Sequence, residues 1–225
     1  MLISHVTTAF RVFKQYKLYS LLNVFGLSIG LAAALLVTLF AEYELSFDEM
    51  QPDHQQVYRL HVDVKVPGLE EIPLTVVSIA QTVSSRSDVS NLLVLADVVD
   101  SDLFTDHIKV AGQAFKLRNV YGTSANLRDF IHLDVIAGNL EQALSEPNQI
   151  AFSASEAVRL FGSVSNAFEQ TLLMGEKSVT VSAVFNDLPD NSHFLFHALV
   201  SVDFTEHNDI SSYVYLKTEQ GADLK

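Results

Sequence analysis

The stretch 18-LYSLLNVFGLSIGLAAALLVTLFA-41 decides how this chain is organised. No Asp, Glu, Lys or Arg occurs between Lys17 and Glu42, which leaves 24 uncharged positions in a row. As a helix this run reaches ~36 Å, enough to cross a hydrocarbon core of ~30 Å with some tilt. Every other residue falls on one side of it or the other.

The two sides differ in charge. Residues 1–41 hold Arg11, Lys14 and Lys17 and no acid, a net +3, whereas residues 42–225 hold 11 basic and 27 acidic residues, a net −16. Basic residues before the span, with Glu42, Glu44, Asp48 and Glu49 after it, predict a cytoplasmic N-terminus and an exported acidic domain. A cleaved signal peptide is the competing reading. The run is longer than an apolar signal core of ~7–15 residues, and no small-x-small site closes it, so an uncleaved anchor is expected. A domain this acidic repels phosphate backbones, which argues against DNA or RNA as partners. With no cysteine there is neither a disulfide framework nor a thiolate metal site, so a hydrophobic core rich in Phe and Tyr must hold the exported domain.

Residues 2–16 place Leu2, Val6, Ala9, Phe13 and Tyr16 at helical spacing, with Thr7, Arg11, Lys14 and Gln15 opposite. The pattern predicts a basic amphipathic helix in the cytoplasmic lipid interface, or a plain extension of the span helix. Within the span, Gly26 and Gly30 form a G-x-x-x-G whose four-residue step continues to Ala34 and Thr38. Small residues in such a stripe let a second helix approach closely, and Asn23, one turn earlier, is costly against lipid tails without a polar partner.

Beyond the span, 57–64 alternates as a half-buried strand, 72–84 keeps helical spacing, and 91–99 reads as another strand. Such a β-α-β unit is expected to pair its strands in parallel. A hairpin is predicted from 106–111 and 114–121 about Gly112-Gln113, then a short helix or turn over 126–133. Ser153 and Glu156 fit a capping box that opens a helix with Ala157, Val158, Leu160 and Phe161 on its core face, ended by Gly162. Strands at 170–174 and 178–185 follow, then a turn at 187–191 and a last pair of strands at 194–203 and 211–217. The fold class is therefore α+β: one N-terminal transmembrane helix, then a mixed α/β extracytoplasmic domain with a β-α-β unit and a β-rich hairpin subdomain. The segments are 1–17 (cytoplasmic basic helix), 18–45 (transmembrane helix) and 46–225 (exported domain).

The chain offers no sign of catalysis. It has no G-x-x-x-x-G-K-[ST], H-E-x-x-H or G-x-S-x-G, so neither nucleotide hydrolysis nor a cofactor or resident metal is expected. His193 and His197, read on a strand, would be ~13 Å apart and lack a third ligand. Asp187 and Asp190 flank Pro189 as turn formers, and Ser153 and Ser155 are better explained by capping than by nucleophilic chemistry.

Several segments, in order, resemble the permease subunits of ABC transporters of the FtsX/MacB type, covering their first transmembrane helix and MacB-like periplasmic core domain. YKLYSLLNVFGLSIGLAAALL is similar to the family's first helix and ELSFDEMQPDHQQVYRL to its junction with the core domain. VIAGNLEQALSEPNQIAFSASEAVRLFG resembles its loop, strand, capped helix and Phe-Gly, and VTVSAVFNDLPDNSHFLFHALVS its strand followed by D-[LV]-P-x-N-S-H. Where relatives carry a P-[IL]-G-K turn, this chain has Asn166-Ala-Phe168-Glu-Gln.

The resemblance implies a bacterial inner-membrane permease, working in export, efflux or mechanotransmission, with its main domain in the periplasm. A separate cytoplasmic ABC ATPase would drive it, and other permease helices, a second permease copy and membrane lipid would be its neighbours. It implies mechanical roles for residues: helix packing by Asn23, Gly26, Gly30, Ala34 and Thr38, topology and cytoplasmic contact by Arg11, Lys14 and Lys17, and a span-to-domain junction at Phe47 and Asp48. The family continues into further helices where this sequence ends at TEQGADLK, so a truncated or partial permease is expected. The alternative is a stand-alone, single-span anchored periplasmic binding or scaffold protein, since one helix cannot form a translocation path.

Overall fold

A computed structural model describes residues 5, 11, 13–51, 53–66, 69–72, 75–86, 88–97, 105–204 and 211–219. The chain divides into two compact units, Met1–Phe47 and Asp48–Lys225.

The first unit is dominated by α1, Lys17–Leu45, with no side chain of its 29 residues buried. It is the one helix among the described residues long and apolar enough to cross a membrane. At its end the Ser46 hydroxyl donates to the Tyr43 carbonyl at 2.7 Å, closing the last turn. Of the helix predicted over 2–16, the described positions His5, Arg11, Phe13, Lys14 and Gln15 are helical, and the rest lies outside the described residues. A bend at Tyr16 (φ −116°, ψ 56°) separates them from α1.

The second unit opens with β1 (Val57–Leu60), β2 (Val62–Val66), β3 (Leu69–Ile72), β4 (Thr75–Val76), α2 (Val77–Ser84) and β5 (Val89–Asp97). Next come β6 (His107–Val110), β7 (Gln113–Lys116), β8 (Val120–Thr123), a 3-10 turn (Ala125–Asp129), β9 (Val135–Gly138) and α3 (Leu140–Ser145). It closes with β10 (Gln149–Ser153), α4 (Ala154–Phe161), α5 (Val164–Ala167), β11 (Thr171–Met174), β12 (Lys177–Phe185), β13 (Ala198–Ser201) and β14 (Ser211–Thr218). Among the described residues, one hydrogen-bonded path runs β1-β14-β5-β8-β13-β10-β12-β11-β6-β7, with β4 on β14 and β9 on β12, and β2 pairs β3 separately. β10–β12 and β8–β13 are parallel and the other pairs antiparallel, so the sheet is mixed.

The β-α-β unit exists, but its strands do not pair with each other. β1 and β5 both pair antiparallel with β14, so the last strand is inserted between two strands of like direction. α2 also starts later than predicted, because Ile72 precedes Pro73 and the residue before proline is biased towards extended backbone. The predicted hairpin is split as well. β6 and β7 turn through Ala111 and Gly112, both at positive φ (49° and 83°), which is the two-residue turn that suits strand twist. After Lys116 the chain leaves that hairpin, and β8 joins β13 and β5 instead. The predicted final pair is corrected too: residues 194–197 are not strand, β13 lies between β8 and β10, and β14 pairs β1, β5 and β4.

A bulge fixes which residues of β12 face which core. Ile150 lies opposite Val181 and Ala151 opposite Ala183, so Ser182 is the extra residue and the inward parity flips there. Val179, Val181 and Val184 thus join Ile150 and Phe152 beneath α4 and α5, while Ala183 and Phe185 join the cluster beneath α3. α4 carries the predicted N-cap: Ser153 Oγ accepts from the Glu156 N–H at 3.3 Å. The reciprocal half of the box is absent, since the Ser153 N–H donates to the His197 carbonyl and the buried Glu156 carboxylate turns to two arginines. Ala157 and Leu160 face the core as expected, but Val158 is exposed. Gly162 ends α4 at φ 82°, its N–H on the Val158 carbonyl.

Candidate functional site

The residues following Phe47 hold a specific geometry. Asp48 sits in left-handed backbone (φ 57°), a conformation that Asp tolerates better than most residues. Its N–H donates to the Asn191 carbonyl at 3.1 Å. Its carboxylate accepts from the Ser192 hydroxyl at 2.9 Å and the His193 N–H at 3.0 Å on Oδ1, and meets His193 Nδ1 at 2.6 Å on Oδ2. Ser192 Oγ in turn accepts from the Phe194 N–H. The two motif segments SFDE and DLPDNSH, both visible in sequence, are thus one structural element. Nothing local in either could have shown that they pair. Phe47, the other predicted junction residue, stacks edge-on against Tyr43 within the first unit, ring centres 5.5 Å apart.

Beside Asp48 lies a recess of about 210 Å³, whose lining includes Gln51, Arg59, Phe130, His193 and Tyr215. A second, of about 150 Å³, adjoins it and shares Arg59, His193, Phe194 and Tyr215. Tyr215 and Phe194 (5.1 Å) stand between the two, and an aromatic row continues from them along the second: Phe194 to Phe196 (5.6 Å), Phe196 to Tyr121 (5.5 Å) and Tyr121 to Tyr213 (6.5 Å). Burial pushes the Tyr121 phenol up to about 12 and also raises Tyr215, so both stay protonated. Sequence reading missed this recess because its members come from four separate segments.

A second polar cluster lies at the start of α4. Burial works to raise the Glu156 carboxyl, but Arg159 (2.5 Å) and Arg118 (2.8 Å) outweigh it and hold the group below its ordinary range. Asp187 accepts from the Ser155 hydroxyl (2.6 Å) and N–H (2.9 Å), which overcome burial and keep it ionised. His197 does lie near Ser153, at 3.3 Å from Nδ1 to Oγ, and near Asp187, at 3.8 Å from the same Nδ1. One nitrogen facing both groups cannot relay a proton between them, and Ser153 is wholly buried as a cap. Burial, then Arg118, lowers the His197 pKa. The cluster staples α4 to the loops on either side. His193 and His197 serve different carboxylates, and no group of three metal-ligating side chains is found among the described residues.

In the span, Asn23, Gly26, Gly30, Ala34 and Thr38 are all exposed along α1, and a Cβ on Gly26 or Gly30 would meet nothing within 4 Å. The Thr38 hydroxyl is satisfied by the Ala34 carbonyl at 2.9 Å. Arg11, Lys14 and Lys17 occupy helical positions with exposed side chains.

A family model described as MacB-like periplasmic core domain matches residues 20–225. No curated protein matches the chain by sequence. Among solved structures it is similar to a domain of a protein designated a permease from Porphyromonas gingivalis, at 16% identity and TM-score 0.61, over 77% of this chain and 79% of that one. It is also similar to the extracellular domain of the ABC-type transporter YknZ from Gram-positive bacteria, at 16% identity and TM-score 0.51, over 73% and 83%. The periplasmic region of MacB from Actinobacillus actinomycetemcomitans matches at 16% identity and TM-score 0.49, over 66% and 67%. At this identity the first two show a shared fold.

Proposed function

The chain belongs to the MacB-like periplasmic core domain family, and on that premise we propose that it is the permease component of an ABC transporter, driven by a separate cytoplasmic ATPase. The observation that carries the reading is that one family match, over residues 20–225, takes in both the apolar helix and the sheet-rich domain.

The N-terminus lies in the cytoplasm, where Arg11, Lys14 and Lys17 set topology and face the ATPase side, and the domain lies in the periplasm. The working segments are residues 1–17, 18–45 and 46–225. The domain performs no chemistry of its own; it moves. Nucleotide-driven displacement of the membrane helices passes through Phe47 and Asp48, and the carboxylate grip on Ser192 and His193 makes the start of the domain stiff enough to carry it. The output is export, efflux or a mechanical signal across the envelope. Asn23, Gly26, Gly30, Ala34 and Thr38 pack against other permease helices or a second copy within the lipid.

The test is purification of the full chain from its own membranes in mild detergent after brief crosslinking. An ABC ATPase subunit, together with further permease helices or a second copy, is the expected co-product. Recovery of the chain with no ATPase would overturn the proposal.

A further inference from the structure

The aromatic recess beside Asp48 has a chemistry that mechanical transmission does not use. Alternation along β1 puts Val57 and Arg59 on the recess side and Leu60 against the α2 core. Arg59 lies directly across from Tyr215 on β14. Its Nε donates to His61 Nε2 at 2.8 Å. Among the described residues it has no carboxylate within ion-pairing distance. In a domain where acids outnumber bases by 27 to 11, a guanidinium lining two adjoining recesses without a carboxylate partner is a distinctive feature. The planar fork keeps donors for a second acceptor, and carboxylate geometry matches it.

The rest of the lining defines the other half of a ligand. Phe130, Phe194 and Tyr215 line the larger recess and give it its apolar wall, while Phe196, Tyr121 and Tyr213 pack behind Phe194 and the smaller recess exposes mostly polar atoms. An apolar cavity of about 150 Å³ holds one benzene ring, so the larger recess, about 210 Å³, suits a ligand of one or two fused rings. Asp48, the one acid among these lining residues, already accepts from Ser192 and His193, so its charge is engaged.

We propose that this recess binds a small aromatic carboxylate, its ring against Phe194 and Tyr215 and its carboxylate on Arg59. Because His193 both lines the recess and grips Asp48, an occupant touches the same side chain that holds the start of the domain.

The experiment is calorimetric titration of the full chain in lipid nanodiscs with indole-3-carboxylate, with empty nanodiscs to subtract partitioning into lipid. The neutral isostere indole-3-carboxamide and the Arg59→Gln variant are run in parallel. Arg59 is exposed, so the variant is expected to fold, and an unchanged thermal melt verifies it. The expected result is saturable binding of the carboxylate, at least about tenfold weaker for the carboxamide, as loss of a charge-assisted bidentate pair requires. Arg59→Gln removes that preference. Absence of saturable binding, equal binding of the two compounds, or an undiminished preference in Arg59→Gln would each overturn the proposal.

Discussion

Asp48 and His193, 145 residues apart in sequence, meet at 2.6 Å between carboxylate and imidazole, and the same carboxylate also holds the His193 N–H and the Ser192 hydroxyl. Three donors on one acid make this contact more than a surface ion pair. Asp48→Ala leaves the buried Ser192 hydroxyl without its acceptor and should cost about 1–3 kcal/mol. His193→Ala keeps the Ser192 and backbone hydrogen bonds and should cost less. Denaturant unfolding of the two variants and of the double variant gives the coupling directly. A double variant whose loss equals the sum of the single losses would show that the pair contributes nothing of its own.

The Glu156 cluster predicts a pH dependence. The folded-state pKa lies below the ordinary glutamate value of about 4.3. Its contribution is therefore complete above the unfolded value and is lost as pH falls through the folded one. Glu156→Gln should cost about 3 kcal/mol near neutrality, with Arg118 and Arg159 left facing each other, and the deficit should shrink on acidification. His197 adds a term of the same sign at higher pH: with its folded pKa depressed, stability falls once pH drops below about 6.5. Thermal melts from pH 7.5 to pH 3 on wild type, Glu156→Gln and His197→Gln separate the two.

These two clusters show what sequence reading could reach. Ser153 as an N-cap and Gly162 as a helix stop were legible because each depends on residues within one turn. The destination of the Glu156 carboxylate was not, because Arg118 arrives from a loop 38 residues away. Topology failed for a related reason. Local pattern identified β1, α2 and β5, but only the hydrophobic faces of β14 decide that it enters between the two strands, with Tyr213 and Tyr215 on one face and Val214 and Leu216 on the other. The aromatic recess was invisible because no segment supplies more than part of it, whereas the apolar run is one continuous stretch and forms one continuous helix, Lys17–Leu45.

Gly138 tests the bulge in β12. Its φ is 77°, and a Cβ there would run into the Ser182 carbonyl oxygen and the Phe168 ring. Gly138→Ala should destabilise the domain by about 3 kcal/mol from backbone strain and overpacking together. Gly112→Ala, equally positive in φ but with open space around it, should cost only the strain. Equal losses in the two variants would mean that the Ser182 contact is not close-packed.

In the span, Gly30→Leu should leave the isolated helix intact, because nothing within 4 Å of the new Cβ resists it. It should lower helix–helix association by filling the approach surface. Disulfide-free chemical crosslinking in membranes reads the association, and unchanged yields would remove the stripe from the packing face.

The central claim is that nucleotide turnover in the cytoplasm moves the periplasmic domain, and the absence of cysteine allows a direct measurement. Leu195, exposed and two residues from His193, is replaced by cysteine, the one thiol of this sequence, in membrane vesicles containing the full complex, and the labelling of this chain is followed. Its labelling rate is measured from the periplasmic face with and without ATP and vanadate on the cytoplasmic side. A nucleotide-dependent change in rate that disappears in Asp48→Ala is the predicted result. Identical labelling in both nucleotide states would contradict the account.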